Sequence, residues 1–293
     1  ALVFQNGSAH PAPANATLTP WFAIEASRST TDSAPGAPGA DTTTHALLLG
    51  LDRSIGNQQG LLGLALTFAR SDADLARDTG DLSLETLRLT AYAGWRARSD
   101  TWLQLQAGAA RDEFKTTRSI RHLATTPAEA SLNAWQFNLA AEIGQNIRLR
   151  SWTLAPLASL HYDTLRLTTF NEDPSNPAAL HYPSQTPRSI ETQLALRLTR
   201  EWTTPAAAHL SAAAQLGWSH EYSATANHLA AALADNLPTF TVRGPATSRD
   251  AARLRLALSL TTTETLRATL TYEALLGADT RSHALSLLLG KQF

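Results

Sequence analysis

The sequence predicts an all-β chain: a transmembrane antiparallel β-barrel of about twelve strands with an aromatic residue closing the last one. Three observations predict it. Apolar and polar residues alternate with period two along most of the chain. The alternating segments run to about ten residues or more, where strands of soluble proteins average about five or six. Long and short connections take turns between them. Residues i and i+2 of a strand share a face, so each segment offers one apolar and one polar face. A tilted strand needs about ten residues to cross the hydrocarbon of a bilayer.

Composition bounds the reading. The chain has 293 residues and a formal net charge of -1. Charged residues make up 17%, below the roughly 25% of soluble domains. The mean hydropathy of -0.17 is far too polar for a bundle of membrane helices. Few charges with moderate polarity suit a barrel wall, half lipid-facing and half water-facing. There is no cysteine, which excludes disulfides, thiol catalysis and cysteine-based metal sites. No apolar run approaches the roughly 18 residues of a membrane helix. Near-neutral charge argues against nucleic acid as a partner. The chain opens with neither a signal peptide nor an initiator Met, so it reads as a mature or excised segment.

In chain order, residues 1–17 read as a linker, because the prolines of Ala9-His-Pro-Ala-Pro-Ala-Asn-Ala disfavour a helix. Strand segments then fall at about 21–29, 44–54, 60–71, 84–97, 101–113, 132–147, 151–165, 187–199, 207–222, 249–261, 264–276 and 281–293. Leu87, Leu89, Ala91 and Ala93 alternate with Arg88, Thr90, Tyr92 and Gly94. Leu194, Leu196 and Leu198 alternate with Gln193, Ala195 and Arg197. Leu254, Leu256, Leu258 and Leu260 alternate with Arg253, Arg255, Ala257 and Ser259. Leu266, Ala268, Leu270 and Tyr272 alternate with Arg267, Thr269, Thr271 and Glu273. Leu285, Leu287 and Leu289 share one face of the final segment.

An apolar-inside sandwich would also alternate. Here the apolar faces are leucine and alanine, with few of the β-branched residues that fill sandwich cores. Gaps at 30–43, 72–83, 114–131, 166–186 and 223–248 are long, and those at 55–59, 98–100, 148–150, 200–206 and 262–263 are short. The gap at 277–280 is a modest last loop. Membrane barrels have short turns at one rim and long loops at the other; a sandwich has no reason to keep that rhythm. Residues 30–43 carry a Pro/Gly-rich flexible stretch, and His228-Leu-Ala-Ala-Ala-Leu-Ala is a possible helical turn within 223–248. Trp21, Trp95, Trp102, Trp135, Trp152, Trp202 and Trp218 fall mostly near strand ends, as headgroup-level aromatics do.

On these registers Arg88, Glu191, Arg197, Arg253, Arg255, Arg267 and Glu273 face the lumen. Arginine at the lipid midplane costs roughly 2–4 kcal/mol, which forces them inward. They either line a hydrated pore or brace the wall as ion pairs; guanidinium forks suit both. Only Lys115 and Lys291 are lysines. No catalytic constellation emerges. His10, His45, His122, His161, His181, His209, His220, His228 and His283 are scattered, with no zinc-protease spacing. Gly80-Asp81-Leu82-Ser83 lies in an expected loop with no histidine base nearby in sequence. The expectation is no enzyme, no metal and no cofactor.

Several stretches carry a resemblance. Trp21-Phe-Ala precedes a Gly/Pro/Ser-rich loop, then Ala46-Leu-Leu-Leu-Gly-Leu-Asp-Arg and Gly60-Leu-Leu-Gly-Leu-Ala-Leu-Thr-Phe-Ala-Arg. Leu154-Ala-Pro-Leu-Ala-Ser-Leu-His-Tyr-Asp, Phe170-Asn-Glu172, Leu216-Gly-Trp-Ser-His-Glu-Tyr and Phe240-Thr-Val-Arg-Gly244 follow in order. Over residues 18–293 the chain resembles the translocator domain of classical (type Va) autotransporters. The resemblance implies a Gram-negative outer-membrane barrel that anchors and exports an N-terminal passenger. It makes 1–17 a passenger junction and Asn6 and Asn15 candidate cleavage positions. It implies partners: outer-membrane lipid, the passenger, the barrel-assembly machinery and periplasmic chaperones. Leu285, Leu287, Leu289 and Phe293 become a barrel-assembly signal, with Lys291 where the family has an apolar or aromatic residue. A small-solute diffusion channel, or less favoured a barrel enzyme, are the alternatives; porins have about 16–18 strands, which makes this chain short for one.

Overall fold

A computed structural model describes residues 18–34, 37–55, 60–97, 100–119, 127–203, 208–224, 226–233, 237–262 and 266–291. Twelve long strands carry the architecture: β1 (Thr19–Thr31), β2 (Ala40–Ile55), β3 (Gly60–Leu75), β4 (Gly80–Arg96), β5 (Thr101–Arg118), β6 (Ala128–Gln145), β7 (Trp152–Leu167), β8 (Arg188–Thr203), β9 (His209–Glu221), β10 (Asp250–Thr261), β11 (Leu266–Gly277) and β12 (Thr280–Lys291). Each pairs antiparallel with its sequence neighbour, and β12 pairs with β1, Trp21 opposite Gly290 through Thr31 opposite Thr280. The sheet therefore closes on itself and leaves no edge, the condition for strands to survive in lipid. No helix among the described residues is long and apolar enough to cross a membrane; the crossing is made by strands.

Burial is inverted relative to a soluble protein. Leu216, Leu89 and Leu64 are 65%, 57% and 56% exposed, while Asp112 and Arg197 are 2% and 3% exposed. Leucine on the outside and charge on the inside excludes an apolar-cored sandwich. On β4 the outward apolar run from Leu87 to Trp95 rises about 27 Å along the strand. Tilted by about 40°, it spans about 20 Å of height, close to the roughly 25 Å band of membrane barrels.

The strands reach further than the sequence suggested, and for one reason. Above the membrane band their polarity flips. Asp72, Asp74, Asp81, Ser83 and Glu113 point outward, while Ala73, Leu75, Leu82, Leu84 and Phe114 point inward. There the outside is water, so the alternation continues with its sign reversed. The expected loop at 72–83 is mostly strand, closed by a tight turn at Ala76–Asp78 in which Arg77 and Asp78 have φ of 64° and 52°. Gly80-Asp81-Leu82-Ser83 lies in β4 and not in a loop. The expected loops at 30–43 and 114–131 are likewise entered by strand: β1 runs to Thr31 and β2 starts at Ala40, and β5 runs to Arg118 and β6 starts at Ala128.

The expected helical turn in 223–248 is a correction too. Ala226–Ala231 and Phe240–Ala246 pair as an antiparallel hairpin. Its first strand continues onto the neighbouring loop: Ala232 bridges His181, and Gln185 Nε2 donates to the Ala230 carbonyl while its Oε1 accepts from the Ala230 N–H. These long-range bonds override the local helix propensity of an alanine run. Trp21 and Trp102 also depart from expectation: both are buried inside the barrel, at 6% and 4% exposure. Trp95, Trp152 and Trp202 stay outward at the turn rim and Trp135 and Trp218 toward the loop rim. The Arg200 guanidinium lies 5.2 Å from the Trp152 ring and 5.1 Å from that of Trp202.

Candidate functional site

The lumen is the site. It exists because inward positions of successive strands carry short polar or small residues where outward ones carry leucine. Its middle holds a cavity of about 500 Å3 bordered by Glu25, Gln106, His161, Asp163, Arg253 and Arg255, among others.

Every anticipated lumen charge points inward, and most meet a partner on another strand. Arg253 reaches across β9 to Glu191, with Nη2 at 2.8 and 2.6 Å from the two carboxylate oxygens. Arg255 pairs with Glu273, its register partner on β11, at 2.8 Å. Arg88 donates to Gln136 Oε1 at 2.6 Å. Arg197 donates to Gln215 at 2.9 Å, lies 3.5 Å from Glu142, and stands over the Trp102 ring at 5.5 Å. Arg267 faces Asp52 within electrostatic reach. Asp52 accepts from Trp21 Nε1 at 3.1 Å and from the Tyr92 hydroxyl, and Trp21 also donates to Tyr92 at 2.9 Å. Sequence reasoning missed Glu142, Gln215 and Asp52, and placed Tyr92 on the polar face without giving it a role. They sit at inward positions of their strands, so the alternation could have found them.

Glycines shape the turn-end wall. A Cβ on Gly50 would lie 2.1 Å from the Trp21 ring, and one on Gly63 2.2 Å from the Tyr92 ring. The two rings lie flat against bare backbone, and this lets both aromatics fit inside the barrel.

Two loops fold together at the opposite, loop-bearing mouth. Glu172, 4% exposed, accepts from Arg118 Nε at 2.8 Å and Nη2 at 2.5 Å, from the Leu180 N–H at 2.9 Å, and from the Tyr182 hydroxyl at 3.3 Å. Phe170 and Tyr182 stack at 4.5 Å, and Leu180 and Tyr182 pack with Ala231, Leu229 and Val242 of the hairpin. Phe170 and Leu229 also pack on Leu132, Ala134 and Leu167, inward residues of β6 and β7. The 168–187 loop and the hairpin thus cling to one side of the mouth. Burial first, and then the Glu172 carboxylate, pushes the Tyr182 phenol up to about 12.

Chemically, the lumen is lined by polar side chains and by charges of both signs, most of the arginines paired across strands. Ser159 and His161 share an inward face of β7 and lie 3.2 Å apart. No carboxylate hydrogen-bonds the other ring nitrogen among the described residues, so the pair lacks the orienting third group of a nucleophile site. Among the described residues no cluster is placed to hold a metal ion. Leu285, Leu287 and Leu289 face outward on β12, opposite Ala26, Ile24 and Phe22 of β1. Phe293, Asn6, Asn15 and the whole of 1–17 lie outside the described residues.

A family model for the autotransporter beta-domain matches residues 20–273. The chain belongs to the autotransporter β-domain family. The β-domain anchors in the outer membrane of a Gram-negative bacterium and serves as translocator for a passenger domain. Its fold resembles the translocator domain of autotransporter NalP from Neisseria meningitidis, with a TM-score of 0.74 at 18% identity over 99% of this chain and 90% of that one. It resembles the beta domain of the Bordetella autotransporter BrkA, at a TM-score of 0.72 and 16% identity over 94% and 100% of the two chains. The transport unit of AIDA-I from Escherichia coli follows at 0.56 and 15%, over 94% and 90%. No curated protein matches the chain.

Proposed function

We propose that the passenger leaves through this lumen in extended form, with residues 1–17 joining it to β1. One observation carries the reading: a closed ring of strands with leucine outside encloses a polar cavity of about 500 Å3. An extended chain, whose backbone needs hydrogen-bonding surroundings, travels better against glutamine, serine and paired charges than against an apolar wall. The pairs Arg253–Glu191, Arg255–Glu273 and Arg197–Glu142 link neighbouring or next-neighbouring strands, so they brace the wall and keep the passage open. The β-domain acts with no catalytic step and no cofactor of its own. Assembly by the barrel-assembly machinery, with periplasmic chaperones and an end signal at Leu285, Leu287, Leu289 and Phe293, completes the proposal; it rests on family membership.

The test fuses a small unfolded reporter ahead of Ala1 and follows its exposure to protease on intact cells. Surface exposure with a folded, heat-modifiable barrel supports the reading. A folded barrel whose reporter stays shielded inside the cell contradicts it. Arg255→Leu separates bracing from lining. Bracing predicts a barrel destabilised by about 2–4 kcal/mol, because Glu273 loses its partner in a confined site. Lining predicts unchanged folding with altered conductance.

A further inference from the structure

On the outer wall, where β5, β6 and β7 leave the apolar band, Trp135 stands in register between two arginines: opposite Arg111 on one side and opposite Arg166 on the other. All three side chains are exposed, Trp135 by 52%. Two strand spacings put the arginine backbones about 10 Å apart. Below them on the same face come Phe137 and Leu139, 46% and 55% exposed. Arg188 joins from β8, opposite Thr164, two residues from Arg166.

An arginine on the same outer face two strands away is neutralised by its own chain. Arg70 is held by Asp72 at 3.1 Å and by Glu85 at 3.6 Å. Glu113, the acid two residues along from Arg111, is engaged by Lys115 at 3.7 Å. Arg111, Arg166 and Arg188 have no hydrogen bond or ion pair with any described residue. Unpaired arginine at the boundary of hydrocarbon, where screening by water falls away, calls for an anion from outside the chain. A guanidinium fork matches phosphate oxygens. The flat Trp135 face between the forks suits the apolar face of a sugar ring at headgroup depth. Phe137 and Leu139 offer acyl chains a continuous apolar track beneath.

We propose that this surface binds a phosphorylated glycolipid of the surrounding leaflet, with its phosphates on Arg111 and Arg166, its sugar over Trp135 and its acyl chains along Phe137 and Leu139. The inference rests on the membrane placement of the barrel, which heat-modifiable migration reports independently of lipid binding.

The experiment measures retention of rough-type lipopolysaccharide by the purified, folded barrel in detergent, by native mass spectrometry. The probe is added intact or enzymatically dephosphorylated. The expected result is one glycolipid retained per barrel, with affinity lowered at least tenfold by removing its phosphates and as much by the double change Arg111→Gln, Arg166→Gln. Arg70→Gln, at an arginine already paired, leaves binding unchanged. Equal retention of the dephosphorylated lipid by the unaltered barrel overturns the proposal without any variant. So does a heat-modifiable double variant that binds as the parent does. Phosphatidylglycerol or inorganic phosphate displacing the glycolipid at equal concentration also overturns it, since the site would then read a bare anion.

Discussion

Single residues at the mouth and in the lower lumen carry uneven weight. Glu172 has two guanidinium bonds, a backbone bond and a phenol bond. Glu172→Gln removes the charge while keeping the shape, which leaves Arg118 half-paired. The expected cost is about 2–3 kcal/mol of local stability, less than for a fully buried pair because Arg118 is part-exposed. Amide hydrogen exchange over 170–182 checks it: protection falls there while that of β1–β5 stays. Tyr182 adds a pH dependence whose sign is fixed. Its folded phenol titrates at about 12, above the ordinary value near 10. Its contribution is therefore complete below about pH 10 and lost as pH rises toward about 12. Loop protection should fall across that window in the native chain and stay flat in Tyr182→Phe. At the other end of the barrel, Gly63→Ala drives a methyl into the Tyr92 ring, at 2.2 Å from its nearest carbon. The ring must leave its seat and its bonds to Asp52 and Trp21, at a cost of about 1–3 kcal/mol of overall stability, read by urea unfolding in vesicles.

Strands, taken as elements, each contain two stretches of opposite sense. In β4, Leu87, Leu89 and Ala91 face lipid, whereas Leu82 and Leu84, further along the same strand, face inward. Substitutions separate the two regimes. Leu89→Arg puts charge at the lipid face and should cost roughly 2–4 kcal/mol and slow insertion. Ser83→Arg, outward but above the band, should stay within about 0.5 kcal/mol. Folding into lipid vesicles measures both. The same reversal explains what the sequence revealed of these elements. Period-two leucine made the membrane half of each strand readable, with its register and its inward Arg88, Arg197, Arg253 and Arg255. The upper halves carry Asp72, Asp74 and Asp81 where the lower halves carry leucine, so an alternation of fixed sign breaks there and suggests a loop. The 226–246 hairpin was unreadable for a different reason: its partners on the neighbouring loop, Gln185 and His181, lie 45 and 51 residues from the positions they bond, Ala230 and Ala232. Trp21 and Trp102 were misplaced because a tryptophan near a strand end fits a headgroup belt and a lumen equally well. Only the glycines beneath them, Gly50 and Gly144, hint at an inward seat.

For the whole molecule, closure is the organising fact. Pairing of β12 with β1 removes the last edge, sets polar side chains inside, and leaves apolar side chains, leucine foremost with Phe22, Ile24, Phe68, Phe137 and Ile143 among them, facing hydrocarbon over the membrane band. Ion pairs link strands around the inside of this wall, a small apolar cluster of Trp21, Ala23, Leu48, Ala65 and Tyr92 packs near the turn end, and two loops pack at one side of the opposite mouth. An outer-membrane translocator needs this combination: a stable exterior in lipid and a passage that offers an exported chain only weak, replaceable polar contacts. The most direct measurement is made on the purified protein folded in detergent, by unheated gel migration and by conductance in a planar bilayer. A heat-modifiable band with small conductance is the predicted result, a closed narrow barrel with its mouth partly covered. A protein soluble in plain buffer, with one band whether heated or not and no conductance, would contradict the barrel and the export function built on it.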